Sequence, residues 1–237
     1  MAGLAEGVTA LHKRIKRRLG PVPAIPLFAG FLLSAGVILA FAKVVDEVVE
    51  GETRRFDEAA LLWINASLPG WLDEPMRAVT TLGYYWVVIP LLAVAAYAFY
   101  RNGRRTSAAL LVVSTTGGIV LTTVLKAVFG RDRPDLFESG YAASFYSFPS
   151  GHATVAVGFY GTLALLLAWR LSGGWRWAVA AAGALLVLFI GFSRLYLGVH
   201  YPTAVAAGYL SAPLSLSAAG GTYFLYRLLR GGRRGEA

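Results

Sequence analysis

The sequence predicts an all-α, polytopic membrane protein: six transmembrane helices, with an interfacial helical segment between the first and the second. Three observations carry this. Of 237 residues, 57% are hydrophobic and only 15% are charged, against roughly a quarter charged in a soluble domain. The apolar residues form long continuous runs, not the alternation of half-buried strands. The basic residues fall between those runs, on alternate connections, as loop charges do in a polytopic protein.

The runs cover about 24–46, 83–100, 107–129, 151–170, 176–193 and 201–226, with edges uncertain by a few residues. Each is long enough, or nearly so, to cross ~30 Å of hydrocarbon as a helix. Lipid offers no partners to backbone polar groups, which leaves helices as the spanning form for such runs. The fifth run is short and should recruit flanking residues. The first contains Ala40-Phe41-Ala42, which resembles a signal-peptide cleavage site. Its apolar stretch from Ala24 to Ala42 exceeds the ~7–15 residues of a secretory signal, so it reads as a retained span.

Residues 4–18 form a basic amphipathic stretch, expected to lie on anionic headgroups. Residues 47–82 are long for a connection and should hold their own structure. Leu61, Leu62, Trp63, Ile64, Leu68, Trp71 and Leu72 suit one or two interfacial helices, acting as an anchor or as a lid. No linker or internal repeat appears, so residues 1–237 read as one domain. Cysteine is absent, which removes disulfides, thiolate nucleophiles and thiolate metal sites. The net charge of +9 does not point to nucleic acid, because its distribution is topological.

Orientation follows from that distribution. Lys13, Arg14, Lys16, Arg17 and Arg18 precede the first span; Arg101, Arg104 and Arg105 follow the second. Arg170 and Arg176 follow the fourth, and Arg227, Arg230, Arg233 and Arg234 follow the last. Six spans put all four groups on one side, which the positive-inside rule makes the cytoplasm. Both termini are then cytoplasmic, and the remaining connections face the periplasm or exterior.

Those outer connections hold the chemistry. Lys126 ends the third span, with Arg131, Arg133 and Pro134 after it. Pro149-Ser150-Gly151-His152 opens the fourth. Ser193-Arg194 closes the fifth, and His200 precedes the sixth. Ionisable groups at membrane depth are costly and usually functional. Arginine meets two phosphate oxygens with a planar fork, and lysine supplies a point charge. The first-turn amides after Ser150 and Gly151 carry the positive end of a helix dipole. His152 is placed to protonate a leaving oxygen. A neutral His200 nitrogen can attack phosphorus if the opposite ring nitrogen has an acceptor. Arg131 is expected to pair with Asp132 or Asp135 and is left out of the anion site. Asp132, Asp135 and Glu138 read as loop charges balancing the arginines, so no metal site and no cofactor is expected.

These blocks resemble the signature of the type 2 phosphatidic acid phosphatase superfamily, K-x6-RP, PSGH and SR-x5-H-x3-D. The match comprises Lys126, Arg133, Pro134, Pro149, Ser150, Gly151, His152, Ser193, Arg194 and His200, within residues 126–204. The resemblance implies a metal-independent lipid phosphatase of the bacterial inner membrane, its active site on the outer face. His200 would be the nucleophile and His152 the general acid. Lys126, Arg133, Arg194 and the Ser150–Gly151 amides would bind the phosphoryl group. The implied substrates are undecaprenyl diphosphate, phosphatidylglycerol phosphate and phosphatidic acid. Ala204 departs from the pattern, standing where the family has aspartate. Alanine cannot accept the ring N–H, so activity is expected to be impaired. Loss of the aspartate's function in a serine-protease triad costs ~10⁴ in rate. Thr203 is a neutral stand-in displaced by ~100° around the helix. Ala204 also fits a packing role, because Ala204, Gly208 and Ala212 form a small-residue stripe. The alternative function is a non-catalytic lipid-phosphate binder or carrier. Oligomeric state has no sequence signal.

Overall fold

The computed structural model describes residues 24–137, 140–141 and 143–230. The basic stretch at 4–18 and Glu138 lie outside them. No strand occurs among the described residues. Helix α1 is Ala24–Val49 and α2 is Arg54–Ser67. A 3₁₀ turn, Gly70–Leu72, leads into α3, Asp73–Thr81. Then follow α4 (Tyr85–Arg101), α5 (Arg105–Phe129), α6 (Gly151–Ala168), α7 (Gly174–Tyr196) and α8 (Pro202–Arg230).

The apolar runs at 107–129, 151–170 and 176–193 become α5, α6 and α7. These three are long and apolar enough to cross a membrane. The run at 83–100 becomes α4, which joins α3 across a 47° bend to make a fourth candidate span. The fifth run does recruit flanking residues, reaching 23 in α7. Only 28% of the most apolar windows of α5 and α7 is buried within the protein. Val120, Val124, Val128, Leu185, Leu188 and Phe189 face outward. So large an apolar surface, unfavourable against water, is what a lipid solvent requires.

The chain divides into two compact units. Among the described residues, the first combines those from Ala24 to Gly36 with those from Ser217 to Arg230; the second runs from Val37 to Leu216 and contains every candidate site residue. Within the first, Ser217 Oγ donates to Ser34 Oγ at 3.0 Å. Within the second, Val88, Leu92 and Phe99 of α4 pack with Ala108 and Leu111 of α5 and Val155 and Phe159 of α6.

Small and hydroxylated residues join the central helices. Helix α6 winds as a π-helix over Ala156–Gly161. Its Gly158 carbonyl accepts a 3.0 Å bond from Thr115 Oγ1 of α5, which satisfies a group the wider turn displaces. Thr122 and Thr154 share a hydroxyl bond of 2.9 Å across the same helix pair. On α8 the small-residue stripe is a packing surface. Ala204 and Ala212 are fully buried. A Cβ on Gly208 would lie 2.5 Å from the Ser150 carbonyl oxygen and 2.8 Å from Ala153 Cβ. Gly208→Val should therefore push α8 off the start of α6, at a cost of about 1–3 kcal/mol for overpacking. A fall in the thermal midpoint of the detergent-solubilised protein, with loss of activity, is the expected result.

The connection expected to hold its own structure contains α2, the 3₁₀ turn and α3. Helix α2 is amphipathic. Asp57, Leu61 and Ile64 are buried along one stripe, whereas Trp63 and Trp71 stay exposed. That stripe has the i, i+4, i+7 spacing of a helix face, and one of its members is a carboxylate.

Candidate active site

Lys126, Arg133, His152, Arg194 and His200 come from four separate stretches of chain, and the second unit gathers them at one end of α5, α6 and α7. Lys126 sits in the last turn of α5, which stops at Gly130 in the left-handed conformation with its N–H bonded to the Lys126 carbonyl. The Lys126 ammonium donates to the Tyr146 carbonyl oxygen, which folds the 130–149 loop back over the helix end.

Three backbone carbonyls hold Arg133 within that loop. Its Nε donates to Phe145 O, its Nη2 to Ser144 O and its Nη1 to Val199 O, each at 2.7 Å. Nη1 also lies 3.3 Å from His200 Nε2. Burial, and then repulsion by Arg194, pushes the Arg133 guanidinium down to about 10, so it remains charged at neutral pH. Arg194, in the last turn of α7, is 2% exposed. Its Nη1 donates to Thr80 Oγ1 at 2.6 Å and to Tyr141 Oη at 3.3 Å, and its guanidinium lies over the Tyr141 ring.

At the start of α6 one expectation is corrected: the Ser150 amide, expected to bind the phosphoryl group, is committed to a carbonyl of α8. Ser150 is the N-cap of α6, with a hydroxyl that accepts from Ala153 N at 3.5 Å. The Ser150 N–H donates to the Ala204 carbonyl at 2.8 Å, which fixes the helix start to α8. His152 meets Tyr84 edge to face, with ring centroids 4.9 Å apart. A Cβ on Gly83 would come within 2.5 Å of His152 Cδ2, so the bend between α3 and α4 requires glycine to let the ring in. The hydroxyls of Tyr84 and Tyr141 bond to each other beside it.

The His200 ring is oriented by backbone. Its Nδ1 lies 2.7 Å from the Ser147 carbonyl oxygen. A carbonyl only accepts, so Nδ1 carries the proton and Nε2 presents its lone pair towards Arg133. Ala204, the position of the motif aspartate, packs instead with Phe148 and Ala207.

Two features distinguish this cluster. His152 Nε2 and Arg194 Nε are buried without a hydrogen-bond partner, and buried polar groups are rarely left so. Among the described residues, ion pairs join Lys43 to Glu47, Arg54 to Glu58 and Arg131 to Asp57. None neutralises Lys126, Arg133 or Arg194. The expected pairing of Arg131 is corrected: it reaches Asp57 of α2 at 2.8 Å, and neither Asp132 nor Asp135. Asp57, Thr80, Tyr84, Tyr141 and the Ser147 carbonyl were not anticipated. Only Asp57 left a trace in the sequence, as an acid on the apolar stripe of α2. No group of three metal-ligating side chains occurs among the described residues.

Comparison with known proteins shows the family. The family model of the PAP2 superfamily matches residues 107–224. Phosphatidylglycerophosphatase B of Bacillus subtilis is 34% identical over 188 residues, covering 78% of this chain and 87% of that protein. An undecaprenyl-diphosphatase of Sulfolobus acidocaldarius is 38% identical over 97 residues, 39% of this chain and 43% of the relative. The crystal structure of a transmembrane PAP2-type phosphatidylglycerolphosphate phosphatase from Bacillus subtilis superposes with a TM-score of 0.70 at 26% identity. It covers 81% of this chain and 96% of that one. Fold and site together define an integral-membrane phosphatase, a phosphoric ester hydrolase. The chain belongs to the PAP2 superfamily.

Proposed function

We propose that the protein hydrolyses a lipid phosphate or diphosphate at the outer leaflet of a bacterial inner membrane, through a phosphohistidine on His200. The observation that carries this reading is a cluster of three cations, none in an ion pair among the described residues, around two imidazoles: His200, whose Nε2 lone pair faces Arg133, and His152, whose Nε2 has no hydrogen-bond partner. In the proposed topology α1, the bent α3–α4 pair, α5, α6, α7 and α8 make six crossings. Basic connections and both termini lie in the cytoplasm, and α2 lies in the outer interface.

Lys126, Arg133, Arg194 and the first-turn amides of α6 hold the phosphoryl oxygens. Such pre-aimed charge is the main requirement of phosphoryl transfer. His200 Nε2 attacks phosphorus as the bond to the leaving oxygen breaks, and His152 donates a proton to that oxygen. Water then attacks the phosphohistidine with His152 as base, which releases phosphate and restores the ring. The residues require no metal for any step. Phosphatidylglycerol phosphate, undecaprenyl diphosphate and phosphatidic acid are the candidate substrates, the first two supported by the activities named for relatives.

A carboxylate at position 204 would do two things: accept the ring proton and balance the charge developing on the ring. The Ser147 carbonyl supports the first without it. The remaining impairment should be about tenfold, well short of the ~10⁴ that follows loss of the aspartate's function in a serine-protease triad. Ala204→Asp should therefore raise kcat about tenfold on the best of these three lipids, by phosphate release in detergent micelles. Equal rates from both proteins would remove the impairment. Activity should persist in chelator, and loss of activity in EDTA that zinc restores would overturn the metal-free reading. Ala204 also gives the second reading its footing. A non-catalytic carrier would bind all three lipids and release phosphate from none, with either residue at 204.

A further inference from the structure

The catalytic reading above leaves one buried charge unused, and it lies on α2, outside the matched motifs. Asp57 is fully buried and its carboxylate accepts three bonds. Oδ1 takes the backbone N–H of Thr203 at 3.0 Å, and Oδ2 takes Thr203 Oγ1 at 2.6 Å. Oδ2 also takes Arg131 Nη2 at 2.8 Å. Arg131 Nη1 closes the triangle by donating to Thr203 Oγ1 at 2.9 Å, and its guanidinium stacks on Tyr201 at 4.2 Å. The carboxylate is fully buried and the Arg131 side chain 17% exposed, so removing the arginine would leave an uncompensated buried charge.

Both arms of this brace end at His200. Thr203, in the first turn of α8, is three residues beyond it; Asp57 thus caps that helix from another part of the chain. Arg131 works from the other side. Its carbonyl accepts from Ser147 N at 2.8 Å and from Ser147 Oγ at 3.1 Å. Ser147 then accepts the ring proton of His200 through its own carbonyl. The bonds run in a closed circuit, from Asp57 through Arg131 and Ser147 to the His200 ring, and back along the chain to Thr203.

We propose that Asp57 is a positioning residue for the nucleophile. Acting through Arg131, Thr203 and the Ser147 carbonyl, it supplies the ring orientation that the family pattern assigns to an aspartate at position 204. The inference rests on His200 as nucleophile. It explains how a chain with Ala204 keeps its nucleophile in one tautomer: the carboxylate that acts stands on a separate helix, α2.

The test is a double-mutant cycle with a spectroscopic arm. Asp57→Asn should lower kcat about 30-fold with little change in KM, in the range of partners that orient metal-bound imidazoles. Ala204→Asp should raise kcat in the Asp57→Asn background at least tenfold more than it does in the parent. In ¹⁵N-histidine-labelled protein in nanodiscs, the parent His200 should carry its proton on Nδ1, and Asp57→Asn should populate both tautomers. Thr203→Val, a milder cut in the same circuit, should move both readouts in the same direction by less. A purely structural Asp57 would lower the thermal midpoint, leave the tautomer single and give equal rescue factors in the two backgrounds; that result overturns the proposal. The tautomer measurement needs no turnover, so it decides the role of Asp57 even if the hydrolytic reading fails.

Discussion

Replacing His200 with asparagine should reduce phosphate release by at least ~10⁴, the scale on which removal of a catalytic nucleophile acts. Asparagine isolates the chemistry. It keeps a side-chain N–H for the Ser147 carbonyl, so the 130–149 loop does not lose its partner, and it presents no nitrogen able to attack phosphorus. The three cations and the α6 amides remain, so lipid phosphate should still bind within about tenfold of the parent affinity. The loss should fall on kcat and leave KM largely unchanged, because the group removed acts mainly in the transition state. A kcat that survives His200→Asn would assign the nucleophile elsewhere.

The second large effect belongs to His152, and its size should depend on the leaving group. General acid catalysis contributes ~10²–10⁴ where the departing oxygen needs a proton. An alkoxide leaving from phosphatidic acid needs one most, and His152→Ala should cost about 10³ there. A lipid diphosphate expels a phosphate monoester, which leaves more readily, so the loss should be smaller. An aryl phosphate such as p-nitrophenyl phosphate needs little assistance and should lose least. The graded series separates an acid from a structural residue. Losses of equal size across all three substrates would show that His152 holds the site together and does not deliver a proton.

The legibility of this chain had a clear physical boundary. Lys126, Arg133, His152, Arg194 and His200 were readable because charge at the end of an apolar run is costly and is kept for a reason. Their convergence followed from topology alone, since α5 and α7 end where α6 and α8 begin. The helix runs were equally plain; α5 was expected at 107–129 and occupies Arg105–Phe129. The bend between α3 and α4 and the π-helical turn in α6 were not visible, because neither changes the apolar content that defines a run. The acceptor for His200 escaped for a different reason. It is a carbonyl, which every residue possesses, so Ser147 carries no mark in the sequence. Ala204 looked like an empty place in a catalytic set. The structure fills that place with packing and provides the hydrogen bond from another strand of loop. Arg131 was assigned to Asp132 or Asp135 because proximity in sequence favoured them; the buried acid on α2 won because the helix holds it beside Thr203.

The central claim is that His200 becomes covalently phosphorylated. Rapid quenching into base of the parent protein mixed with a ³²P-labelled lipid phosphate tests it most directly. Label should appear on the polypeptide in a form stable to base and lost in acid, the behaviour of a phosphoramidate. It should map to the peptide containing His200 and be absent from His200→Asn. Turnover without protein-bound label, or label that persists in His200→Asn, would contradict the mechanism.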